Sequence, residues 1–293
     1  MTSIRLRTVG LLASAVLALS ACSGSSATAA PTGAASQVMT PGTLTVCSDL
    51  PYPPQEYFDA DGTTAIGSDI DIIREIAKRM NLTITIKPTV FKTIIAALTG
   101  GGCDVIVSAQ TITAERQKQV DMIPYFEAGQ SFVVLKGNPS NLKTVDDLCG
   151  KAIAAETGTV EADHANPDGT GDYKVEEGLS QQCVAKGKAA IEVKLFDKDS
   201  DALLAMQSGT VIAHFTDEPV AGYEVKHGNG AFEFAPAAMT LEHAPEGISV
   251  TKNHTLLRDA IKANLKAMID DGTYLQILTK WGVESGKLST PLT

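Results

Sequence analysis

The sequence lacks the features that most directly identify an enzyme or a nucleic-acid-binding protein. Its five His residues form no pair at metal-ligand spacing, and it contains no glycine-rich phosphate loop and no Ser nucleophile elbow. Basic residues are also in deficit, since 24 Lys and Arg stand against 34 Asp and Glu, for a net charge of −10. Because nucleic acids attract a basic face, this charge disfavours them as partners. We therefore expect no metal, no cofactor and no nucleic acid, and we expect His214 to be structural.

Long apolar runs are absent apart from one near the start. Residues 9–19 follow Arg5 and Arg7 and lead into Leu19-Ser-Ala-Cys22, with no acidic residue in the segment. The run is too short to span a membrane and is typical of a secretory signal peptide, and its end resembles a bacterial lipobox. We expect cleavage before Cys22, lipidation of Cys22 and anchoring to the outer face of the cell membrane. Cleavage removes two Arg and no acid, so the net charge falls from −10 to −12. The alternative is a plain signal peptide with a chance Cys.

The rest of the chain divides into a tether and a folded body. Residues 23–36 are small and uncharged, and a flexible linker is predicted over 23–40. From about residue 41, apolar strands alternate with helices, and a second series of such units begins after residue 129. This alternation predicts an α/β protein with two lobes, whose C-terminal helices pack back on the first lobe. The turn-rich segment 163–178 is predicted to be a surface loop.

Four cysteines follow Cys22, and an even count in an oxidising compartment permits two disulfides. Cys149 and Cys183 each precede a predicted strand, so they lie at the same edge of neighbouring parallel strands, within bridging reach. Cys47 lies near the end of its strand and Cys103 at the start of another, which separates them by roughly 13 Å. We therefore predict one disulfide, Cys149–Cys183, and two free thiols.

Polar donors cluster directly behind the apolar strand predicted at 104–108. The stretch Ser108-Ala-Gln-Thr-Ile-Thr-Ala-Glu-Arg116 offers hydroxyls, free backbone N–H groups and a guanidinium. Thr113 is well placed to cap a helix whose N-terminus adds a positive field. The arrangement predicts a carboxylate-binding corner, with Arg116 as a bidentate donor. The alternative is a capped helix with a solvated Arg.

Several motifs recur in order along residues 43–283. They are Gly67-Ser-Asp-Ile-Asp71, the corner 108–116, Val120-Asp121 with Tyr125, Asp147-Leu-Cys-Gly-Lys151, Thr157-Gly-Thr159, Thr216-Asp217, Asp271-Gly-Thr-Tyr274 and Lys280-Trp-Gly282. Together they resemble family 3 of the bacterial extracellular solute-binding proteins, the receptors of polar amino acid ABC transporters. The resemblance implies a type II periplasmic-binding-protein architecture, with each lobe a mostly parallel sheet flanked by helices. It implies lobe 1 at 41–129 plus 241–293 and lobe 2 at 130–240, joined by crossover strands near 127–130 and 237–246.

The resemblance also implies how the two poles of an amino acid are held. Arg116 matches the residue that binds the α-carboxylate, with help from Thr111 and from backbone N–H groups of neighbouring residues. Ser108 offers its hydroxyl there, and Ala109 can offer its N–H. Asp217, on the opposite lobe, matches the acid that binds the α-ammonium. Thr159 matches a further backbone donor to the carboxylate.

The same resemblance places the ligand side chain. Tyr52 and Phe91 match aromatic residues that sandwich it, and Asp49 matches a position beside its head group. Glu56 is a possible additional contact that most family members lack; the alternative is a solvated loop carboxylate. The sequence departs from the family at Ser68, Ala109 and Gln110. Because these side chains supply acids and no spare cation, we predict arginine, lysine, histidine or glutamine over aspartate and glutamate.

The expected function is therefore a lipid-anchored, monomeric receptor that delivers a polar amino acid to an ABC permease, without catalysis. One alternative is an enzyme on the same fold, dehydratase-like or cell-wall lyase-like, with Asp49 or Glu56 as acid. Another is a receptor for an amino-acid-like amine or opine. A sensor ectodomain is disfavoured because the expected membrane attachment is a lipid.

Overall fold

The computed structural model describes residues 33–290, except residues 170, 172 and 242. The predicted signal peptide, Cys22 and the first part of the tether lie outside the described residues. The last part of the predicted tether is packed against the body. Gly33–Ser36 form a short 3₁₀ helix, the Gln37 side chain accepts a hydrogen bond from the Leu257 N–H at 2.9 Å, and Val38 contacts the core. The packed body thus begins earlier than the predicted residue 41.

Strands and helices alternate through the body, as predicted. The described strands are β1 (Thr43–Ser48), β2 (Tyr57–Phe58), β3 (Ala65–Ile66), β4 (Thr83–Pro88), β5 (Val105–Ile106), β6 (Val120–Leu135), β7 (Ala152–Glu156), β8 (Glu192–Phe196), β9 (Ala213–Asp217), β10 (Phe232–Phe234) and β11 (His243–Thr251). The described α-helices are α1 (Ser68–Arg79), α2 (Ile94–Thr99), α3 (Ala114–Gln119), α4 (Val160–Ala165), α5 (Leu179–Ala185), α6 (Asp199–Gln207), α7 (Glu218–His227), α8 (Thr255–Asp270) and α9 (Thr273–Trp281).

One boundary differs from the sequence-based expectation. The predicted loop 163–178 begins later, because α4 continues to Ala165. Within the described ranges, no helix combines the length and the apolar composition that crossing a bilayer requires.

The main sheet has the strand order β4-β1-β5-β11-β6-β9-β7-β8, and β10 pairs with β6. Strands β4, β1 and β5 are parallel to one another, as are β8, β7 and β9, whereas β11 and β6 run antiparallel to their neighbours. We call the half around β1 the first lobe and the half around β7 the second lobe. The predicted class, two mostly parallel α/β lobes, is confirmed.

Strand β6 connects the lobes because it changes its pairing partner along its length. From Val120 to Gly129 it pairs with β11, and from Gln130 to Val133 it pairs with β9. The register of β6 and β11 shifts between Glu246 and Gly247. The change of partner falls between Gly129 and Gln130, and β6 and β11 form the connection between the two halves of the sheet.

Each lobe has its own hydrophobic core. In the first lobe, Ile73 and Ile76 of α1 and Leu257 and Leu265 of α8 pack against the sheet, as the helical spacing of these residues predicts. The second lobe has a separate core that includes Phe132 and Phe215, whose rings stack with centroids 4.1 Å apart. Because separate cores stabilise them, the lobes can move as bodies about the connection.

Both possible disulfides are present. Cys149–Cys183 is the predicted bridge, with a Cα–Cα distance of 5.5 Å. Cys47–Cys103 is also bridged, with a Cα–Cα distance of 5.8 Å, so the prediction of two free thiols is wrong. That prediction placed Cys103 at the start of a strand and measured its distance from Cys47 along the strand direction. In the structure, β5 begins only at Val105. Cys103 lies before β5, in the cluster that α2 forms with Cys47 on one face of the sheet.

Candidate functional site

A small cavity between the lobes contains the predicted ligand-binding residues. Its lining comprises the nine residues that the resemblance assigned and the possible contact: Asp49, Tyr52, Glu56, Phe91, Ser108, Ala109, Thr111, Arg116, Thr159 and Asp217. Three residues that the sequence analysis did not assign complete it: Glu156, Val160 and Glu161. The enclosed space is about 10 Å³, room for about one water molecule. An amino acid therefore enters only when the lobes separate.

Strand ends of the first lobe form one wall of the cavity. Asp49 follows β1, and its side chain is oriented by the Phe91 N–H, which donates to Oδ2 at 3.0 Å. The Asp49 N–H donates to Ser108 Oγ at 2.8 Å, and Ser108 Oγ donates to Glu56 Oε1 at 2.9 Å. Ala109 has a left-handed φ of 43°, and its N–H donates to Asp69 Oδ2 at 3.0 Å. In this arrangement Ala109 does not offer its N–H to the cavity, unlike the role that the resemblance implied.

Arg116 lies in the first turn of α3, which begins as predicted. The Thr113 side chain caps this helix by accepting a hydrogen bond from the Arg116 N–H at 3.1 Å. The guanidinium donates to the Thr111 carbonyl at 2.7 Å and, across the cavity, to the Gly158 carbonyl of the second lobe at 3.1 Å. Its central carbon lies 5.3 Å from the centre of the Phe91 ring. The guanidinium thus joins the two lobes at the edge of the cavity.

Tyr52 also crosses between the lobes. Its hydroxyl donates to Asp217 Oδ2 at 2.8 Å, lies 3.1 Å from Thr216 Oγ1, and accepts from the Asp217 N–H at 3.2 Å. Asp217 ends β9, and Thr159 caps α4 by accepting from the Ala162 N–H at 3.2 Å. The second lobe therefore brings a strand end and a helix start to the cavity.

Five carboxyl groups line the cavity, and burial raises the pKa of each above its usual value: Asp49, Glu56, Glu156, Glu161 and Asp217. They include two interacting pairs, Asp49 with Glu156 and Asp217 with Glu161, and the partner carboxyl group raises the pKa of Glu156 and of Asp217 further. One oxygen each of Glu56, Glu156 and Glu161 is buried without a hydrogen-bond partner among the described residues. A desolvated oxygen without a partner is costly, so these groups favour a donor in the cavity.

Two further buried acids, Asp69 and Glu246, lie behind the first-lobe wall of the cavity, where they contact or belong to the connecting strands. Tyr125 of β6 donates its hydroxyl to Asp69, and Gln55 donates to Glu246 of β11 at 2.6 Å. Burial is the main cause that raises the pKa of Asp69 to about 6 and that of Glu246 well above its usual value. These contacts attach the cavity wall to the connection between the lobes.

His214 is buried behind the second-lobe wall, between two acids. Its ring nitrogens lie 2.8 Å from Asp199 Oδ1 and 3.2 Å from Glu224 Oε2. Burial alone would lower the pKa of His214, but the two carboxylates outweigh it and raise that pKa. Although these three side chains are close enough to be considered as metal ligands, each nitrogen faces its own carboxylate, as in an imidazolium that donates twice. Asp199 also accepts from Thr216 at 3.0 Å, which supports a structural role for His214.

Glu156 and Glu161 are the functional candidates that the sequence analysis missed. They flank Thr157-Gly-Thr159, where β7 ends and α4 begins. Ligands of open α/β sheets bind beyond the carboxyl ends of parallel strands, so an acid on each side of this turn was a usable signal.

A larger cavity of about 470 Å³ lies elsewhere between the lobes. Tyr57, Tyr223 and Trp281 line it, and the Tyr57 ring lies 5.8 Å from that of Tyr223. No residue that the sequence analysis assigned to the ligand is in its lining, so the smaller, acid-lined cavity is the candidate site.

Comparisons with known proteins show what this chain is similar to. The family model described as bacterial extracellular solute-binding proteins, family 3, matches residues 44–284. The arginine-binding protein ArgT of Corynebacterium glutamicum is 29% identical over 252 residues, which cover 86% of this chain and 78% of that protein. The ABC transporter glutamine-binding protein GlnH of Bacillus subtilis is 34% identical over 219 residues, covering 73% of this chain and 72% of that protein. Among solved structures, an ancestral arginine-binding protein bound to arginine is similar with a TM-score of 0.70 and 37% identity, covering 82% of this chain and 98% of that one.

Proposed function

The chain belongs to family 3 of the bacterial extracellular solute-binding proteins, and we propose that it captures a basic amino acid between its lobes for delivery to an ABC transporter permease. Its similarity to amino acid-binding proteins, one of them named as part of an ABC transporter, supports the transport role. One observation carries the choice of a basic ligand. Five carboxyl groups line the cavity, whereas Arg116 is the single Arg or Lys among its lining residues.

The positions of these charges match an amino acid with a cationic side chain. Arg116 would bind the α-carboxylate, and the Asp217–Glu161 pair would bind the α-ammonium. The side chain would then extend toward Asp49 and Glu156. An acidic head there would meet like charges in a site of reduced dielectric, whereas a cationic head would form ion pairs.

The aromatic residues and the contacts between lobes support the same proposal. Tyr52 and Phe91 line the cavity, and a cation gains attraction from the faces of such rings. Tyr52 and Arg116 each hydrogen bond across to the second lobe. A ligand held by both lobes would favour closure, because it gains contacts that the open state cannot provide.

We further propose that the mature protein is anchored to the outer face of the cell membrane by lipidated Cys22 and that it acts as a monomer. The extracellular character of the family supports the location. Cys22 lies outside the described residues, so the lipobox-like sequence supports the anchor.

Calorimetry with a panel of amino acids tests the ligand class. We expect arginine or lysine to bind most tightly, and tighter binding of glutamate than of both arginine and glutamine would refute the proposal. Arg116→Ala and Asp217→Ala should each weaken binding by roughly thirtyfold or more, since removing one partner of a buried charge pair costs about 2–5 kcal/mol. Arg74→Ala is the matched control, because Arg74 pairs with Asp71 on the exposed side of α1. Unchanged affinity in either cavity variant would overturn the site assignment.

A further inference from the structure

We propose that Glu156 determines the specificity for a cationic side chain, because a cationic head held between Glu156 and Asp49 replaces the proton that these two carboxyl groups share. The proposal deepens the proposed function and rests on it. It assigns a role to a residue that the sequence analysis did not include and predicts that binding of a basic ligand releases a proton.

The pair lies across the cavity. Asp49 follows β1 of the first lobe, and Glu156 is the last residue of β7 in the second. Glu156 is only 4% exposed, and its side chain interacts with that of Asp49 across the cavity that both residues line. The Phe91 N–H fixes one oxygen of Asp49. Oε1 of Glu156 is buried and accepts no hydrogen bond from an N–H or O–H donor among the described residues, and both carboxyl groups line the cavity.

Two carboxyl groups in hydrogen-bond contact cannot both be ionised in a buried site, so they share one proton. The other charged groups that act on this pair are Lys198, Asp199, Glu161 and Glu56. The acids among them outnumber the single Lys and further disfavour a second negative charge. Without a cation in the cavity, the pair therefore keeps its proton.

A cationic head changes this balance. Before binding, Glu156 is a neutral acid that donates to the Asp49 carboxylate. After binding, both are carboxylates that accept from the cation between them, and the released proton goes to the solvent. A neutral amide head can donate to Asp49 and accept from protonated Glu156, so it leaves the proton in place.

Calorimetry of the mature protein can count this proton. Titrations with arginine and with glutamine, each in two buffers of different ionisation enthalpy, give the protons released per ligand bound. The α-ammonium and α-carboxylate are common to both ligands, so protons that the Asp217–Glu161 pair releases cancel in the difference. We expect arginine to release about one proton more than glutamine near neutral pH, and equal release would overturn the proposal.

Two variants separate this pair from the rest of the cavity. Glu156→Gln should abolish the difference in proton release and reduce the preference for arginine over glutamine by about tenfold or more. Glu161→Gln is the matched control, since it alters the carboxyl group beside Asp217 and should weaken both ligands by a similar factor while the difference persists. If Glu156→Gln does not fold, Asp49→Asn tests the pair from the other lobe with the same expectation.

The outcomes distinguish the two proposals. If the unsubstituted protein binds neither arginine nor lysine, the proposed function fails and this inference fails with it. If it binds arginine without the additional proton, or if the proton difference survives in the folded Glu156→Gln variant, this inference alone is overturned.

Discussion

The Tyr52 hydroxyl offers a sharp test of how ligand affinity depends on closure. It belongs to the first lobe and makes three hydrogen-bond contacts, at 2.8 to 3.2 Å, with Asp217 and Thr216 of the second. Tyr52→Phe removes all three contacts and keeps the aromatic ring in the cavity wall. The variant thus separates the hydrogen bonds across the cavity from the packing of the ring.

The expected loss follows from where these contacts exist. A hydrogen bond to a charged group contributes about 1.5–3 kcal/mol, and Asp217 would be ionised when it binds the ligand ammonium. The contacts form only when the lobes are together, so their loss destabilises the closed state and not the open one. Because about 1.4 kcal/mol corresponds to tenfold in affinity, the Kd for arginine should rise by roughly 10- to 150-fold.

Calorimetry with arginine measures this change, and Tyr274→Phe is the matched control. The Tyr274 hydroxyl donates to the Tyr125 carbonyl at 2.8 Å and accepts from the Leu288 N–H at 3.1 Å, and neither contact reaches the second lobe. This control should lower Tm and leave the Kd within about twofold, because its loss is the same in the open and closed states. A Kd for Tyr52→Phe within about twofold of the unsubstituted protein would refute the reasoning, as would an equal loss of affinity in both variants.

Three further predictions concern anchoring, covalent stability and pH. The mature chain should partition into detergent and carry acyl groups, and recovery of Cys22→Ser in the same membrane fraction would contradict the lipid anchor. Cys149→Ser should destabilise the protein by about 4 kcal/mol in urea unfolding, because the bridge to Cys183 closes a loop with a sequence separation of 34; a change below about 1 kcal/mol would contradict the loop-closure argument. Burial holds the pKa of Glu246 well above its usual 4.5, so above that pH the folded state binds more protons than the unfolded one. The stability of the folded protein should therefore fall as pH rises. The Tm of the ligand-free protein should decrease from pH 5 to pH 8, and less steeply in Glu246→Gln; a Tm that rises over this range would contradict the predicted direction.

The parts of the site that follow from local chain structure could be predicted from sequence. The Thr113 cap and the start of α3 depend on neighbouring residues, and the structure agrees with both. Parallel strands bring their carboxyl ends to one edge of a sheet, which places side chains that follow β1 and β5 close together. The resemblance added which residues of the second lobe face them.

The parts that depend on packing between distant segments could not be predicted in this way. The Cys47–Cys103 bridge requires knowing that Cys103 lies over the face of the sheet, and strand register alone does not contain that information. The pairing of Asp49 with Glu156 depends on how the lobes close, which leaves no periodic signal in either segment. Each acid taken alone is a polar residue at the end of a strand.

The buried acids connect ligand selection with closure. Burial raises their pKa values, so closure without a ligand favours their protonated forms, whereas a basic amino acid would balance the carboxylates by its own charge. As pH rises, protons become harder to retain, so the closed state without a ligand loses stability while the state with a cationic ligand keeps its ion pairs. Because an uncharged ligand replaces none of the lost protons, the same acids would favour a cation and oppose closure on an empty cavity. The preference for a cation and the opposition to closure without a ligand are linked because the acids lie on both lobes. Only closure brings all of these carboxyl groups together around the ligand.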